Sequence, residues 1–294
     1  MKLIVECGAT KSQWTLLPAA PAAAPLVFFT GGMNFSSGEE DYLFSALQDG
    51  LRWVDSALAA QRDTDTSITE VNFYAAGLFP GTERYERLET LMSAAFPGAE
   101  VCLESDLLAA ARAVCGHSAG VAVILGTGSN ACLYDGSRIV KTVPSGGFIL
   151  GDEGSASALG RRFVSDYIKG LVPEAMAAHF ASRFDMAYPA LVHEVYHGAS
   201  PAGFLGKFAP EILGFYAIDP YAKAIVDDNF RSFIRRCLIP LLSSAVTPRA
   251  LPVGVVGGFG CAYREILSSV GAEEGVAFAR FLASPSDELI AYHQ

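Results

Sequence analysis

The sequence lacks the cysteine spacing, the basic clusters and the long apolar runs that mark several classes of protein. Its six cysteines lie far apart with no C-x-x-C pair, which argues against a disulfide framework and favours free thiols in a reducing compartment. The net charge is −10 and no block of Lys and Arg occurs, so we expect no nucleic-acid partner. No run of about 18 apolar residues is present and the short apolar start does not fit a signal peptide, so the sequence predicts a cytoplasmic protein with no membrane partner.

The pattern of strands and helices indicates an α/β fold built from two similar halves. The chain has 294 residues, of which 51% are hydrophobic and 18% charged, enough for one large domain or two ordinary ones. A strand, a glycine turn and a second strand open the chain and recur at residues 121–134, each time followed by a third strand and helices. This recurrence predicts a duplicated α/β fold with a cleft between domains 1–116 and 117–294. A final helix over 285–293 could return to the first domain.

Two turns of small residues have the composition of phosphate-binding loops. Gly126–Asn130 interrupts two apolar strands and would expose backbone N–H groups without side chains in the way. Residues 6–12, ECGATKS, place Glu6 at a strand end, where its carboxylate could act on a metal ion through water. The P-loop pattern G-x-x-x-x-G-K-[ST] is absent, and an ordinary β-hairpin turn is the alternative at both places.

Three further segments place acids or glycines at the ends of strands. Asp106 follows a strand and opens a helix, where it could take a proton from a hydroxyl or simply cap the helix. Ser145–Ala156 is rich in glycine and carries Asp152 and Glu153, which could bind the hydroxyls of a polar ligand or cap the next helix. Gly257–Gly260 lies between an apolar strand and a helix, a position that suits a nucleotide.

One short motif points to different chemistry. Residues 193–197, HEVYH, match the H-E-x-x-H pattern of zinc hydrolases, in which two histidines share one helix face. Such a site needs a third ligand, for which Glu211 and His179 are the nearest candidates. Because Pro189 and Gly198 leave room for only a short helix, we treat zinc hydrolysis as a minor alternative.

Taken together, these segments resemble the sugar-kinase branch of the actin/hexokinase/Hsp70 superfamily, and most closely the N-acetylglucosamine kinases of the BadF/BadG/BcrA/BcrD ATPase family. The motifs run in order through nearly the whole chain, and GTGSN followed by GDEGSA is the most diagnostic pair. They are ECGATKS, GGMN, SDLLAAAR, LGTGSNACLYDG, GGFILGDEGSASALGR and VVGGFGCAYREIL. The resemblance implies two ribonuclease H-like domains of the actin-like ATPase type with an interdomain cleft.

The resemblance also implies an activity and a set of site residues. The enzyme would act in amino-sugar metabolism, transferring the γ-phosphate of ATP, with Mg²⁺ as cofactor, to the 6-hydroxyl of N-acetylglucosamine. Asp106 would be the catalytic base, and Glu6 would hold Mg²⁺ through water. The phosphates of ATP would lie on Gly8, Ala9, Thr10 and Lys11 and on Gly126, Thr127, Gly128 and Ser129. Adenosine would border Gly257, Gly258 and Gly260, and the sugar would contact Asn34, Asp106, Thr127, Ser145, Gly146, Gly147 and Asp152.

Departures from the family pattern leave alternatives open. The family usually carries Asp where this chain has Glu6, and one extra methylene would move the carboxylate by about 1.5 Å. Ala9 and Phe259 also stand where small or polar residues are common. A kinase of glucosamine or N-acetylmuramic acid, or a catalytically weakened sugar or nucleotide sensor, therefore remains an alternative. Relatives are commonly dimers, which implies a homodimer, whereas the cysteine spacing does not fit the iron–sulfur activators of the BadF type.

Overall fold

The computed structural model describes residues 1–8, 11–19, 23–35, 39–60, 67–244 and 251–294. The sequence predictions on Ala9 and Thr10 lie outside these residues. The chain divides into two compact units, of which one is Met1–Gly116 with Pro285–Gln294 and the other is His117–Ser284. None of the helices in the described ranges has the length and apolar character needed to cross a membrane.

The first unit is a five-stranded mixed sheet with helices. Its sheet has the order β3-β2-β1-β4-β5, in which β1, β4 and β5 are parallel and β2 and β3 are antiparallel to their neighbours. The strands are β1 (Lys2–Cys7), β2 (Lys11–Leu17), β3 (Leu26–Gly31), β4 (Glu70–Ala75) and β5 (Glu100–Ser105). The helices are α1 (Glu40–Ala60), α2 (Glu83–Ala95) and α3 (Asp106–Cys115).

The apolar pattern of α1 explains how the first unit packs. Its buried residues recur at helical spacing and face the sheet, where Trp14 of β2 is fully buried. A Cβ at Gly50 would lie 2.1 Å from the Trp14 ring, so only glycine lets the helix approach the indole. The indole Nε1 donates to Thr30 Oγ1 at 3.1 Å, which satisfies its one polar atom in the core.

The second unit begins with a sheet of the same design. Its order is β10-β9-β6-β7-β8, with β6, β9 and β10 parallel and β7 and β8 antiparallel to their neighbours. Read from β8 to β10, this order repeats the order of the first sheet. The strands are β6 (Gly120–Leu125), β7 (Ser129–Tyr134), β8 (Ile139–Val143), β9 (Val253–Val256) and β10 (Phe278–Leu282). The predicted fold class, two duplicated α/β domains of the actin-like type, is confirmed.

Helices fill the long insertion between β8 and β9 in the second unit. Buried aromatic side chains such as Phe163, Phe180 and Phe208 form the centre of their packing. A π-helical turn, Ile234–Leu238, separates α10 from α11, near Pro240, whose missing N–H removes one donor from the helix. The helices of the insertion are α4 (Gly147–Leu150), α5 (Ala156–Tyr167), α6 (Glu174–Arg183), α7 (Tyr188–His197), α8 (Pro201–Gly206), α9 (Ala209–Gly214), α10 (Pro220–Phe233) and α11 (Ile239–Ser243). Two more helices, α12 (Gly258–Ala262) and α13 (Arg264–Glu273), lie between β9 and β10.

The last helix, α14 (Ser286–His293), belongs to the first unit although the chain reaches it from the second. It packs against α3, and Leu289 is fully buried beside Ile4, Leu17 and Tyr74. The Tyr74 hydroxyl lies 2.8 Å from His293 Nε2, so a polar contact joins the end of the chain to β4. The helix therefore completes the hydrophobic core of the first unit.

Candidate active site

The parallel strands of the first unit bring three predicted site residues to one edge of the sheet. Cys7, Ala75 and Ser105 pair across β1, β4 and β5, so these strands end level with one another. Glu6 lies at the end of β1, and Asp106 follows the end of β5 as the first residue of α3. Asn34 precedes Phe35, whose N–H donates to Ala76 O at 2.8 Å, just beyond β4. Carboxyl ends of parallel strands are where α/β sheets bind ligands.

Asp106 places a carboxyl group at the start of α3, directly after the end of β5. The side chain of Ser105 accepts a hydrogen bond from Leu108 N at 3.2 Å and caps α3, so Asp106 itself is not needed as the cap. Burial raises the pKa of Asp106 to about 6, although the backbone N–H groups of Leu107 and Asp106 oppose this shift. The carboxylate is thus mostly ionised at neutral pH and remains a better proton acceptor than an exposed aspartate.

Glu6 lies in a less favourable environment for a negative charge. Burial and then the negative charge of Asp106 raise the pKa of Glu6 to about 7. The Ser286 hydroxyl, which donates to Glu6 Oε2 at 3.4 Å, and the Lys11 ammonium lower the pKa and offset part of this rise. Glu6 is therefore about half protonated at neutral pH in the absence of a bound cation.

The turn after Glu6, residues 8–11, is described only at its two ends. Gly8 N donates to Lys11 O at 3.0 Å and closes the turn. The Lys11 ammonium lies 4.5 Å from the centroid of the exposed Phe29 ring, on β3. In this structure, Lys11 therefore stacks on a neighbouring strand.

The turn Gly126–Ser129 in the second unit offers two adjacent backbone donors. Gly126 N donates to Gly128 O at 3.0 Å, and Ser129 N donates to Asp152 Oδ1 at 3.1 Å. The N–H groups of Thr127 and Gly128 donate to no atom in the described ranges. The carbonyls of Gly126 and Thr127 accept from the first two amides of α5, at 3.0 and 3.1 Å, which fixes the turn to that helix. Two such neighbouring amides form a concave donor surface for an anion.

Asp152 joins this turn to the glycine-rich loop, Ser145–Asp152. Its side chain is buried and holds Ser129 N, and a Cβ at Gly128 would lie 3.1 Å from Asp152 Oδ2. Burial raises the pKa of Asp152, and the Ser129 N–H opposes that rise. Asp152 also has a φ of 54°, a left-handed conformation that costs free energy in a non-glycine residue and is concentrated at functional sites.

The glycine-rich loop closes on itself through its backbone. Asp152 N donates to Ser145 O at 3.0 Å, and Gly151 N donates to Gly147 O at 2.8 Å. Gly146 and Gly147 have φ of 72° and 67°, and a Cβ at Gly151 would lie 1.8 Å from Ser145 O. The high glycine content is therefore required by the loop's own geometry.

The structure distinguishes among the glycines predicted to border adenosine. Gly257 has a φ of 125°, and its Cβ would lie 2.3 Å from Leu125 O. A Cβ at Gly260 would lie 2.8 Å from Leu125 Cβ, so both glycines allow α12 to pack closely on β6. Gly258 has open space around it and lines a cavity of about 520 Å³ together with Cys261, Tyr263, Arg264 and Ala283. Of these glycines, Gly258 is the one that lines the cavity.

The geometry does not assemble the zinc site suggested by residues 193–197. His193 and His197 share one face of α7 with ring centroids 5.8 Å apart. The two candidate third ligands bind each other, because His179 Nε2 lies 2.8 Å from Glu211 Oε2. Across the ranges that the structure describes, no group of three His, Cys, Asp or Glu side chains could hold a metal ion.

The sequence motifs assign no role to two residues near these sites. Ser286, at the start of α14, donates to Glu6, and no local pattern connects positions so far apart in the chain. Arg161, in α5, is the last residue of the segment GGFILGDEGSASALGR and donates to the carbonyls of Phe148 and Ile149 in the same segment. Only the structure shows these two contacts.

Comparisons with known structures show the same two-unit fold over the whole chain. The chain is 33% identical to the putative N-acetylglucosamine kinase of Porphyromonas gingivalis, with a TM-score of 0.85, covering 100% of this chain and 98% of that one. The putative N-acetylglucosamine kinase of Chromobacterium violaceum gives a TM-score of 0.74 at 19% identity, covering 100% and 99%. A ROK-family glucokinase of Streptomyces griseus, in complex with glucose and AMPPNP, gives 0.54 at 19% identity, covering 99% and 97%.

No protein-family model matches the sequence, and no curated protein sequence matches it. The first of the structural matches nevertheless combines sequence identity with nearly complete coverage of both chains. The chain therefore belongs to the sugar kinases of the actin/hexokinase/Hsp70 superfamily, a class of phosphotransferases.

Proposed function

We propose that the protein is an ATP-dependent amino-sugar kinase that phosphorylates the 6-hydroxyl of N-acetylglucosamine. The observation that carries the proposal is Asp106, a carboxyl group at the end of a parallel strand whose pKa is raised to about 6 by burial. A base with a pKa slightly below the working pH is ionised and still able to take a hydroxyl proton. The choice of sugar follows the 33% identical relative, which is described as a putative N-acetylglucosamine kinase.

The second unit supplies the groups for binding and charge stabilisation in this proposal. The N–H groups of Thr127 and Gly128 would donate to the phosphates of ATP, with the corresponding part of the first unit, Gly8–Lys11, as a second phosphate turn. Phosphoryl transfer depends mainly on positioning and on stabilisation of developing charge, which backbone amides provide without a basic surface. Gly258 and its cavity would receive the adenosine, beside Gly257 and Gly260.

In this proposal, residues of both units bind the hydroxyl groups of the sugar. Asn34 and Asp106 lie at the edge of the first sheet, and Thr127 and Asp152 lie beside the glycine-rich loop of the second unit. Asp152 accepts a hydrogen bond from Ser129 N through Oδ1, which leaves Oδ2 to accept a hydrogen bond from a sugar hydroxyl. The backbone of Ser145–Gly147 supplies further polar groups.

Magnesium fits the carboxyl groups of the first unit. The carboxylates of Glu6 and Asp106 repel each other at the carboxyl end of the first sheet, and a divalent cation near Glu6 would reduce this repulsion. Magnesium commonly binds one or two carboxylates and completes its shell with water and substrate phosphates. When bound, Mg²⁺ would neutralise charge on the phosphates of ATP. The residues of this chain position the sugar, hold the phosphates by N–H groups and take the hydroxyl proton at Asp106.

Sugar-dependent release of ADP tests the proposal. The purified protein is assayed with Mg-ATP and, separately, with N-acetylglucosamine, glucosamine and N-acetylmuramic acid. We expect the highest kcat/KM with N-acetylglucosamine. Higher kcat/KM with one of the other two would assign the enzyme to that sugar, and a lack of turnover with all three would refute the kinase proposal.

A catalytically weakened sensor is the second candidate, and the raised pKa of Glu6 favours it. A glutamate that is half protonated at neutral pH binds a cation less readily than an ionised aspartate would. If the sensor reading holds, the wild type turns over very slowly and Glu6→Asp raises kcat by at least about tenfold. Rapid turnover by the wild type would exclude the sensor.

Location, assembly and domain limits also belong to the proposal. All six cysteines are free thiols, which supports a reducing compartment such as the cytoplasm. We further propose that residues 1–116 and 117–294 are the two domains, with α14 added to the first, and that the chain belongs to the BadF/BadG/BcrA/BcrD group. The homodimer implied by the resemblance stays a prediction that light scattering can check.

A further inference from the structure

A single arginine side chain forms hydrogen bonds to the middle of the glycine-rich loop. Arg161, in the second turn of α5, donates from Nη1 to the carbonyl oxygens of Phe148 and Ile149, the latter at 2.6 Å. These two residues lie in α4, between Gly147 and Gly151, where the loop turns back on itself. Charge-assisted hydrogen bonds of this kind are stronger than those between neutral groups.

An asparagine holds the segment that follows the loop. Asn229, in α10, accepts from Gly154 N through Oδ1 and donates to Ser155 O through Nδ2, both at 3.1 Å. Gly154 lies close against Phe233 of α10, since a Cβ at Gly154 would lie 2.6 Å from Phe233 Cβ and only glycine fits there. The loop is thus tied to α5 at its middle and to α10 at its end.

Besides these contacts, the loop is held by its own backbone hydrogen bonds, by Asp152 on Ser129 N and by the partly buried Phe148. Ile149 and Leu150 are 68% and 81% exposed, so these two side chains contribute almost no apolar burial. Gly146, Gly147 and Asp152 all have positive φ, which an unsupported loop would readily leave. Segments with few buried contacts open locally at low free-energy cost.

We propose that Arg161 and Asn229 are positioning residues that keep the glycine-rich loop in its sugar-binding shape and so set the affinity for the sugar. The inference rests on the proposed function, since it requires that Ser145–Gly147 and Asp152 contact the sugar. Neither side chain has to touch substrate. Arg161 acts through two loop carbonyls, and its positive charge also lowers the pKa of Asp152, against the rise due to burial.

The neighbouring arginine provides a matched control. Arg162 lies on the same helix, and its Nε donates to Asp166 Oδ2 at 2.7 Å, with no contact to the loop. We expect Arg161→Gln to weaken sugar binding by about 10- to 100-fold, because two charge-assisted bonds to the loop are lost. Arg162→Gln should leave sugar affinity within about twofold of the wild type. Arg161→Lys, which keeps the charge but not the planar fork, should recover part of the loss.

The experiment measures the dissociation constant for N-acetylglucosamine by calorimetry, and KM for sugar and for ATP by ADP release. A selective loss of sugar affinity in Arg161→Gln and Asn229→Ala, with KM for ATP unchanged, supports the inference. Equal affinity in Arg161→Gln and Arg162→Gln, or equal losses for sugar and ATP, would overturn it.

Limited chymotrypsin digestion separates failure of this inference from failure of the proposed function. The protease cleaves after Phe148 or Leu150 when the loop opens, whatever the substrate of the enzyme. We expect cleavage at these bonds to be at least about tenfold faster in Arg161→Gln than in Arg162→Gln. Faster cleavage together with no sugar binding by the wild type would refute the proposed function and the role in sugar affinity. It would still show that Arg161 keeps the glycine-rich loop closed. Unchanged cleavage would show that Arg161 does not keep the loop closed.

Discussion

The negative charge of Asp106 raises the pKa of Glu6 at the carboxyl end of the first sheet, in addition to the larger rise that burial causes. Glu6 lies in β1 and Asp106 directly follows β5, and the two lie at the same end of the sheet because β1, β4 and β5 end level with one another. Such a pair stores unfavourable electrostatic free energy in the folded protein, which a cation or a proton can relieve. The raised pKa of Glu6 is therefore a property of the site that can be measured.

Replacement of Asp106 tests its role as the base. Asp106→Asn removes the proton acceptor but keeps the size and hydrogen-bonding capacity of the side chain. We expect kcat to fall by about 10²- to 10⁴-fold with sugar affinity within a few-fold of the wild type. In the wild type, kcat/KM should fall about tenfold per pH unit below about 6, as Asp106 becomes protonated. Residual turnover close to that of the wild type would contradict the assignment.

The free energy of unfolding should report the ionisation of Glu6. Because the folded-state pKa of about 7 lies above the ordinary value of 4.5, this group stabilises the fold at low pH and loses that contribution as pH rises through 7. Glu6→Gln should therefore be more stable than the wild type by about 1–3 kcal/mol at pH 8 and nearly equal to it at pH 4.5. Chemical denaturation without divalent cations measures the difference.

The exposed Glu83, replaced by Gln, is the control for a general effect of charge. A Glu6→Gln variant that behaves in the same way as Glu83→Gln would show that Glu6 has no raised pKa.

Two glycines of the same turn should respond differently to alanine. In Gly128→Ala the new Cβ would lie 3.1 Å from Asp152 Oδ2 and push the carboxylate from Ser129 N. In Gly126→Ala the Cβ meets nothing within 4 Å. We expect Gly128→Ala to raise KM for the sugar by at least about tenfold, with a smaller effect on KM from Gly126→Ala. Steady-state assays of both variants decide, and equal sugar KM values would contradict the link between Gly128 and Asp152.

The glycines after β9 should separate packing from ligand contact. Gly260→Ala places a Cβ 2.8 Å from Leu125 Cβ and from Val255 Cγ1, and overpacking of this kind costs about 1–3 kcal/mol of stability. Gly258→Ala meets open space, so its melting temperature should match the wild type while KM for ATP rises. Thermal melts and ATP titrations give both values. If Gly258→Ala leaves KM for ATP unaltered, the cavity of about 520 Å³ is not part of the nucleotide site.

Leu289 should contribute strongly to the stability of the first unit. Leu289→Ala would remove a fully buried side chain that packs on Ile4 and Tyr74, at a cost of about 2–5 kcal/mol. The exposed Leu171, replaced by Ala, should change the free energy of unfolding by less than about 0.5 kcal/mol. Urea denaturation of both variants tests the comparison. Equal stability would show that α14 does not complete the core.

Much of the fold is predictable from local patterns. The helical spacing in α1 and the apolar strands β1 and β6 follow from hydrophobic periodicity, and Ser105 caps α3 as a cap residue should. The strand β10 escaped prediction because its five residues include Arg280 and none is fully buried. A partly exposed edge strand has neither the alternation nor the apolar run that marks a strand.

The site is less predictable because its geometry depends on contacts between distant segments. Local composition identifies Gly257 and Gly260, but the structure gives both a packing role against Leu125 and leaves Gly258 facing the cavity. The contact of Ser286 with Glu6 joins residues 280 positions apart, and the hydrogen bonds of Arg161 form only when α5 folds back against α4.

The position of α14 has a consequence for how the protein is made. A ribosome synthesises β1 to α3 first, but the helix that covers Ile4, Leu17 and Tyr74 is added only after the second unit has emerged. Until then the nascent first unit displays an uncovered apolar surface, and Glu6 lacks the hydroxyl of Ser286. Premature termination just before Ser286 would therefore yield a chain with a complete second unit and an aggregation-prone first unit.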